Sequence, residues 1–325
     1  MAITLGYALS SEEHAPSDLV RYATRAEDAG FGFAMISDHF HPWIDRQGNA
    51  PFVWSVLGGI AASTSRIPVG TGVTCPLIRI HPAIIAQAAA TTAAMMPGRF
   101  WLGLGTGENL NEHVIGGEWP PHERRTEMLE EAVAVIRELW KGDLVTHDGD
   151  YYEVVNARLY TLPDKPPPIL VAASGTQSAE LAGRIADGLI ATSPDKELVA
   201  AFRKGGGEGK TRIGQLSTCW AKDAAAARRT AHEWWPTAAI PGASGQELAL
   251  PSHFEELAEL VDEEAVAKSV VCGPDPDPVL EKIRSFEDAG FDRVYVHQVG
   301  PDQDGFLRFA ERELLPAFSG KAAAA

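Results

Sequence analysis

The sequence predicts an α/β fold in which eight parallel strands and their helices close into a (β/α)8 barrel, a TIM barrel. Three observations lead to this prediction: short apolar runs recur, segments with helical periodicity separate them, and one helix-to-strand junction occurs near both ends of the chain. Alternation of this kind is typical of parallel sheets covered by helices. An open doubly wound sheet shows the same alternation and remains the alternative architecture.

The predicted strands are apolar at nearly every position, as expected for strands that are buried on both faces of a parallel sheet. The eight runs cover residues 3–9, 33–37, 67–73, 100–105, 169–173, 188–192, 213–220 and 293–299. Eight is the number of strands that a (β/α)8 barrel requires.

Amphipathic helices are predicted between the strands. In the clearest one, apolar residues recur at helical spacing, with Glu and Arg on the other face: Leu129, Val133, Ile136 and Trp140. Such a stripe covers one face of a sheet and leaves the charged face in water.

The repeated junction reads AEDAGF at residues 26–31 and FEDAGF at residues 286–291. In both copies a helix is expected to end at a glycine, Gly30 or Gly290, and a strand follows at once. Glycine is favoured at this position because a left-handed backbone conformation ends many helices. The two copies favour repeated βα units arranged in a ring, with the first and eighth strands as neighbours.

We expect a single barrel domain over residues 1–318, followed by a flexible tail at residues 319–325. Two stretches do not fit a minimal barrel, and we predict that both are insertions over the mouth of the active site. Residues 143–163 indicate a hairpin that turns at Asp148-Gly149, and residues 234–261 are rich in Pro, Gly and acidic side chains.

Composition excludes several classes of function. The formal charge of −16 opposes binding to a nucleic-acid backbone, and no basic cluster is visible. No run of about 18 apolar residues indicates a membrane span, and the first residues do not read as a signal peptide. The three cysteines lack C-x-x-C spacing, and the histidines lack metal-ligand spacing, so we expect neither disulfides nor a metal site. A cytoplasmic protein fits these features.

The first candidate for chemistry follows the second predicted strand. Residues 37–43 read SDHFHPW, which brings a carboxylate, two imidazoles and an indole to a strand end. Reacting groups of (β/α)8 barrels lie at the carboxyl ends of the strands, and histidine is the natural acid or base near neutral pH. We therefore take His39 as the candidate base, against the plainer interpretation of a histidine that only binds backbone.

The second candidate follows the fourth predicted strand, where residues 103–111 read GLGTGENLN. Small residues there let a flat ligand approach the backbone closely, and Glu108 lies just beyond them. A dinucleotide fingerprint is disfavoured because Glu108 stands where the last glycine of G-x-G-x-x-G is required.

These segments resemble the luciferase-like flavin and deazaflavin oxidoreductases, in particular the group related to coenzyme F420-dependent glucose-6-phosphate dehydrogenase. The resemblance runs from about residue 4 to residue 318. It is carried by the stretches at 37–43, 81–87 (HPAIIAQ), 97–100 (PGRF), 103–111, 148–152 (DGDYY) and 182–188 (AGRIADG).

The resemblance implies that coenzyme F420, a 5-deazaflavin, lies in the mouth of the barrel. The Gly72-Val73 peptide is cis in relatives, Cys75 stands where relatives have a hydroxyl residue, and the loop at 172–176 leads into a helix N-terminus that suits the ribityl-phosphate arm. The coenzyme-binding residues implied in this way are Asp38, Val73, Cys75, Asn111, Ala172, Ala173, Ser174, Gly175, Thr176, Thr192 and Ser193.

The resemblance also implies roles for three catalytic residues. His39 would take the proton of an alcohol that gives hydride to the deazaflavin. Glu108 matches the family's proton donor, and burial would raise the pKa of its carboxyl into a useful range. Trp43 would form a wall of the pocket and exclude water, unless it is ordinary packing.

The region that binds phosphate in sugar-phosphate enzymes of this group is changed in this chain. The aligned residues 252–257 read SHFEEL and contain no lysine, and Trp234-Trp235-Pro236 lies nearby. We therefore expect an uncharged or apolar alcohol as substrate, with Lys268 and Arg284 as the residues that would support a phosphate instead. A sugar-phosphate dehydrogenase, an F420H2-dependent reductase, an FMN-dependent monooxygenase and a non-catalytic barrel remain alternatives. Relatives are usually homodimers, which is our expectation here.

Overall fold

The structure is a computed structural model, and it describes residues 3–319. Its predicted tail therefore lies outside the described residues from 320 onwards, while Ser319 ends the last helix.

Eight parallel strands form the barrel, and each of them overlaps one of the predicted apolar runs in the sequence. They are β1 (Thr4–Leu9), β2 (Phe33–Ile36), β3 (Val69–Thr71), β4 (Phe100–Leu104), β7 (Ile169–Ala172), β8 (Gly188–Ala191), β9 (Thr211–Cys219) and β11 (Arg293–Gln298). The order runs β1-β2-β3-β4-β7-β8-β9-β11, and β11 pairs with β1, which closes the sheet. The predicted barrel is confirmed, and the open doubly wound sheet is not formed.

Fourteen α-helices surround and connect the strands over the described residues. They are α1 (Pro16–Ala29), α2 (Val53–Ser63), α3 (Pro82–Met95), α4 (Asn109–Glu112), α5 (His122–Leu139), α6 (Thr176–Ile185), α7 (Lys196–Phe202), α8 (Ala224–Trp234), α9 (Gly242–Glu247), α10 (Pro251–Ala258), α11 (Glu263–Ala267), α12 (Asp277–Ala289), α13 (Gln303–Phe309) and α14 (Leu315–Ser319). The stripe predicted at residues 129–140 is buried.

Both repeated junctions end their helices in the predicted way. Gly30 after α1 has φ 93°, and Gly290 after α12 has φ 98°, both left-handed. In each copy the next N–H group donates to a carbonyl five residues back: Phe31 to Ala26 at 3.0 Å, and Phe291 to Phe286 at 3.0 Å. The same C-terminal motif therefore starts the strands β2 and β11, which lie on either side of β1.

The interior of the barrel is filled by inward-facing side chains at alternate strand positions. This inner cluster consists of Ala8, Phe33, Met35, Trp101, Leu170, Ile190, Ile213 and Tyr295. The intervening residues pack outward against the helices in a larger cluster. Because the lower barrel is filled, open space is left only above it, at the carboxyl ends of the strands.

The hairpin at residues 143–163 is present but does not cover the mouth of the barrel. It comprises β5 (Val145–Asp148) and β6 (Glu153–Ala157), which are antiparallel. Glu131 of α5 accepts hydrogen bonds from the N–H groups of Tyr151 and Tyr152 and lies 3.0 Å from His147 Nε2. These contacts hold the hairpin against the outer helix, and none of residues 143–163 lines the cavity at the mouth of the barrel, so the prediction that the hairpin lies over the active site was wrong.

The second insertion does reach the mouth. It contains α9 and α10, and the short strand β10 (Val271–Cys272), which pairs with the outer edge of β9, follows it. Asn109 at the start of α4 donates to the carbonyl of Glu247 at 3.0 Å, and Gln47 donates to the carbonyl of Trp234 at 3.0 Å. Residues 234–254 are thereby fastened to the loops that follow β2 and β4.

Candidate active site

A cavity of about 970 Å³ opens at the carboxyl ends of the barrel strands. Ligand pockets usually have volumes of roughly 300–1,000 Å³, so this one is large enough for a coenzyme together with a small substrate. The second insertion forms part of its wall through Trp235, Ile240 and Phe254.

The cavity brings together eleven of the fourteen predicted site residues. These are Asp38, His39, Trp43, Val73, Cys75, Glu108, Asn111, Ala172, Ala173, Ser174 and Thr192. Gly175, Thr176 and Ser193 do not line it and are exposed. The loop at 172–176 therefore contributes its first half to the cavity wall.

His39 lies at the carboxyl end of β2 with one edge of its ring facing two carboxylates. Its Nε2 is 3.2 Å from Oε1 of Glu12 and 3.8 Å from Oε2 of Glu108. The imidazole side chain is 9% exposed. A proton held at Nε2 would thus lie between two carboxyl groups in a site from which most water is excluded.

The opposite edge of the His39 ring has both an acceptor and a donor within reach. The carbonyl oxygen of His41 lies 3.1 Å from Nδ1, and the amide Nδ2 of Asn111 lies 3.2 Å from the same atom. Either neutral tautomer of the imidazole therefore finds a partner at Nδ1. This arrangement suits a ring that gains and loses a proton at Nε2.

Asn111 holds this edge in place because its own orientation is fixed. Its Oδ1 accepts hydrogen bonds from the N–H groups of Phe40 at 2.9 Å and His41 at 3.2 Å. Its Nδ2 then donates to Oε2 of Glu108 at 3.0 Å. The predicted ligand-binding residue is thus also the link between His39 and Glu108.

Glu12 was not identified from the sequence, although it lies closer to His39 than Glu108 does. It follows β1 in a buried loop, and its Oε2 accepts hydrogen bonds from the hydroxyls of Ser10 at 3.2 Å and of Ser37. Burial raises the pKa of the Glu12 carboxyl, but the charge on His39 and the Ser37 hydroxyl outweigh it, so the pKa lies below its usual value. Glu12 is therefore ionised at neutral pH.

Glu108 does not have the burial that the sequence interpretation assumed. Its side chain is 31% exposed and faces the cavity from the start of α4. The expected desolvation of this carboxyl was wrong, because the loop ends at the rim of the barrel rather than inside it. One helical turn further on, burial raises the pKa of Glu112, and the N–H and charge of Arg79 offset only part of that effect.

Asp38 lies in the cavity wall but its oxygens are occupied by protein groups. Arg79 approaches Oδ1 at 2.9 Å, and the hydroxyl of Thr74 donates to Oδ2 at 2.8 Å. Arg79 also lies 3.5 Å from Glu112, and the Asp38 and Glu112 side chains are fully buried. Arg79, which sequence reasoning missed, balances two buried carboxylates beneath the site.

The wall around Cys75 is shaped by glycines and by a bend after β3. The Gly72-Val73 peptide is cis, as the resemblance implied. A Cβ on Gly107, which has φ 74°, would lie 2.5 Å from the Cys75 sulfur, and one on Gly105 would lie 2.7 Å from Val73. Burial raises the pKa of the Cys75 thiol well above its usual value. The thiol is thus a neutral, apolar surface.

Trp43 packs between His39 and the second insertion. Its ring centroid lies 5.1 Å from that of His39 and 5.2 Å from that of Phe254, which meets it edge to face. Its backbone N–H donates to Gln47 at 2.9 Å. Trp43 is therefore both a wall of the cavity and a packing contact for the insertion.

The residues that would support a phosphate in the substrate do not reach the cavity. Lys268 and Arg284 lie outside its lining. Arg125 is the single Lys or Arg that lines it within residues 3–319, and it is held by the Pro120 carbonyl at 2.8 Å and by Glu247 at 3.3 Å. The described lining near His39 thus carries carboxyl groups and neutral polar side chains but no Lys or Arg.

No helix within residues 3–319 is long and apolar enough to cross a bilayer. No group of three or more His, Cys, Asp or Glu side chains in that range is arranged to hold a metal ion.

Comparison with known proteins agrees with this architecture. The family model described as luciferase-like monooxygenase matches residues 2–293. The chain is 37% identical over 329 residues to an F420-dependent glucose-6-phosphate dehydrogenase of Segniliparus rotundus, with 97% of this chain and 98% of that protein covered. It is 38% identical over 325 residues to the same-named enzyme of Nakamurella multipartita, with 97% and 96% covered.

Among solved structures, the chain is similar to an F420-dependent secondary alcohol dehydrogenase in complex with an F420-acetone adduct. The TM-score is 0.90, at 30% identity, and 98% of this chain and 99% of that chain are covered. The F420-dependent tetrahydromethanopterin reductase of Methanopyrus kandleri has a TM-score of 0.79 at 24% identity and shares the fold. The chain belongs to the luciferase-like monooxygenase family of (β/α)8 barrels.

Proposed function

We propose that this protein is an F420-dependent dehydrogenase that moves a hydride between coenzyme F420 and an uncharged secondary alcohol or hemiacetal. The observation that carries the proposal is the position of His39 Nε2, which faces the cavity between the carboxylates of Glu12 and Glu108. Similarity over nearly the whole chain to F420-dependent dehydrogenases of alcohols and glucose 6-phosphate supports both coenzyme and reaction.

The residues present fit the coenzyme. Gly105 and Gly107 bring backbone close to the cavity, and Val73 and Cys75 offer apolar surface on which a flat ring system can lie. The exposed residues at the start of α6 present backbone N–H groups that have no partner within the helix, which suits the phosphate of the ribityl arm. When bound, F420 supplies a two-electron acceptor for hydride.

His39 is the base in this proposal. With Nδ1–H donated to the His41 carbonyl, Nε2 carries a lone pair that takes the hydroxyl proton as the alcohol carbon loses hydride. The imidazolium that results lies beside Glu12, whose charge stabilises it. Because Glu12 is buried, little water competes for this interaction.

Glu108 is the proton donor to the coenzyme in this proposal, and its carboxyl group lies 3.8 Å from His39 Nε2. Its partial exposure lets it exchange protons with solvent, and the Asn111 amide keeps one of its oxygens directed inward. Proton supply from this carboxyl would balance the charge that arrives with the hydride. Trp43 excludes water on the side where the substrate enters.

The substrate is uncharged because no free cation is available for it in the described lining. Arg125 is engaged by Pro120 and Glu247, and the wall near His39 carries acidic side chains that would repel a phosphate. A bidentate or clustered cation site is the usual means of binding a phosphate monoester.

Coenzyme titration followed by substrate screening tests the proposal. Purified protein is titrated with F420 and with FMN, and F420 reduction is then followed as loss of deazaflavin absorbance with secondary alcohols, glucose and glucose 6-phosphate. We expect binding of F420 and turnover of uncharged alcohols. Tight FMN binding without F420 affinity would support a monooxygenase instead, and preference for glucose 6-phosphate would overturn the substrate class. Reduction of ketones by F420H2 would identify the reverse reaction.

A further inference from the structure

Two consecutive carboxylates after β1 each hold one histidine that lines the cavity. Glu12 lies 3.2 Å from His39 Nε2, and Glu13 lies 2.7 Å from Nε2 of His297. His39 follows β2 and His297 belongs to β11, the two strands that pair with β1. The loop after β1 therefore directs Glu12 towards His39, which follows β2, and Glu13 towards His297 in β11.

Both oxygens of Glu13 make hydrogen-bonding contacts, one of them with His297. One Glu13 oxygen faces His297 Nε2, and the other accepts the N–H of Gly300 at 2.7 Å. The Glu13 side chain is fully buried and that of His297 is 3% exposed. In the neutral tautomer whose Nε2–H donates to Glu13, Nδ1 of His297 is free to accept a hydrogen bond.

Nδ1 of His297 has no strong partner within the described protein contacts. The hydroxyl of Ser217 is 3.5 Å away, which is long for a hydrogen bond to nitrogen. The ring lies inside the barrel because it alternates with Val296, which packs outward, and it lines the cavity together with Tyr295. Trp235 of the second insertion packs edge-on against it at 4.5 Å between centroids.

The position of His297 in the barrel places it on the substrate side. The residues that fit the coenzyme come from β3, β4, β7 and β8 and the loops that follow them. His39 and His297 come from the opposite arc, separated by β1 alone. Two strand spacings put their backbones about 10 Å apart, so a molecule of a few carbon atoms can contact both imidazoles.

We propose that His297 is a second substrate-contacting residue, whose Nδ1 accepts a hydrogen bond from a second hydroxyl next to the one that is oxidised. The inference rests on the proposed function and narrows its substrate class to uncharged vicinal diols. Polar groups in a largely apolar pocket act mainly by selecting substrates that satisfy them. A buried histidine and carboxylate that the hydride transfer itself does not use are explained by this role.

The test compares butane-2,3-diol with butan-2-ol, which lacks the second hydroxyl. Variant H297Q keeps an amide N–H that can donate to Glu13 but holds its carbonyl oxygen away from the position of Nδ1, and E13Q removes the carboxyl group that Nε2 faces. H232Q is the matched control, since His232 is a half-buried imidazole on α8 that binds the Val261 carbonyl outside the cavity. Each variant is checked by thermal unfolding, and kcat/KM is measured for both alcohols with F420.

We expect the wild type and H232Q to prefer the diol, and H297Q to lose about 10-fold in kcat/KM for the diol while butan-2-ol changes by less than about 3-fold. E13Q should also reduce the ratio of kcat/KM for the diol to kcat/KM for butan-2-ol. This second variant keeps the test decisive if H297Q does not fold. An equal loss of kcat/KM for both alcohols in H297Q would overturn the role of His297 but leave the proposed function standing. A wild type that does not prefer the diol would have the same consequence. Failure of the wild type to oxidise any alcohol with F420 overturns the proposed function and this inference together.

Discussion

Nε2 of His39 lies 3.2 Å from Oε1 of Glu12, and both side chains are buried at the ends of the neighbouring strands β2 and β1. The pair is built by the barrel itself rather than by a local sequence motif. Glu12 is tied to Ser10 and Ser37, so its carboxylate is held where a proton arriving at His39 would be stabilised. The proposed stabilisation of a protonated His39 depends on this pair.

Replacing Glu12 with Gln should lower kcat for alcohol oxidation by about 10- to 100-fold, because the imidazolium formed at His39 loses a buried counter-charge worth roughly 1.4–2.8 kcal/mol. F420 affinity should change by less than about 3-fold. The check is steady-state kinetics with coenzyme titration. E131Q is the control, since it neutralises the carboxylate of another His–Glu pair, His147 with Glu131, outside the cavity. Equal kcat for E12Q and E131Q would contradict the role of Glu12.

The lowered pKa of Glu12 predicts how stability depends on pH. A carboxyl whose pKa is lower in the folded state stabilises the fold above the unfolded pKa of about 4.3, and the contribution is lost as the pH falls through the lowered value. The advantage of the wild type over E12Q in unfolding free energy should therefore shrink as the pH falls below about 4.5. Urea unfolding at each pH measures the difference in unfolding free energy between the two proteins. A difference that widens on acidification would contradict the lowered pKa of Glu12.

Replacing Arg79 with Met should destabilise the protein by about 3–5 kcal/mol, because the buried carboxylates of Asp38 and Glu112 lose their counter-charge. The control is Arg21→Met, which removes a bridge to Asp304 at 3.0 Å whose side chains are 45% and 43% exposed. Exposed bridges are worth roughly 0–1 kcal/mol. Chemical denaturation compares the two, and similar losses would mean that Arg79 is not needed as a counter-charge.

Gly107→Ala should destabilise the fold by about 1–3 kcal/mol more than Gly98→Ala. Both glycines have left-handed φ, at 74° and 71°, so the conformational cost is shared. A Cβ at Gly107 would meet the Cys75 sulfur at 2.5 Å, whereas one at Gly98 has no neighbour within 4 Å. Because Gly107 lines the cavity, only its variant should weaken F420 binding. Equal melting temperatures for the two variants would show that the Cys75 contact relaxes freely.

The barrel was predictable because burial on both faces of a parallel sheet leaves continuous apolar runs that survive in the sequence. The helix-ending glycines Gly30 and Gly290 were predictable for a related reason, since a left-handed backbone restricts the residue type. The placement of the hairpin at residues 143–163 was not predictable, because a hairpin sequence does not indicate which outer surface the hairpin will pack against.

His39 was found because it stands immediately after an apolar run, where barrel enzymes place reacting groups. Glu12 stands in an equivalent position after β1, so the same rule would have found it. His297 is hidden inside an apolar run, and only its inward alternation with Val296 shows that it faces the cavity. Contacts between neighbouring strands such as β1 and β11, for example Glu13 with His297, join residues 284 positions apart and are set by strand order rather than by sequence spacing.

The most direct test of His39 as the base is F420 reduction by the wild type and by His39→Ala, with the best uncharged alcohol from the screen as substrate. We expect a loss of about 100- to 10,000-fold in kcat for the variant, with F420 affinity within about 3-fold of the wild type. Hydride transfer at an undiminished rate in His39→Ala would contradict the assignment of His39 as the base.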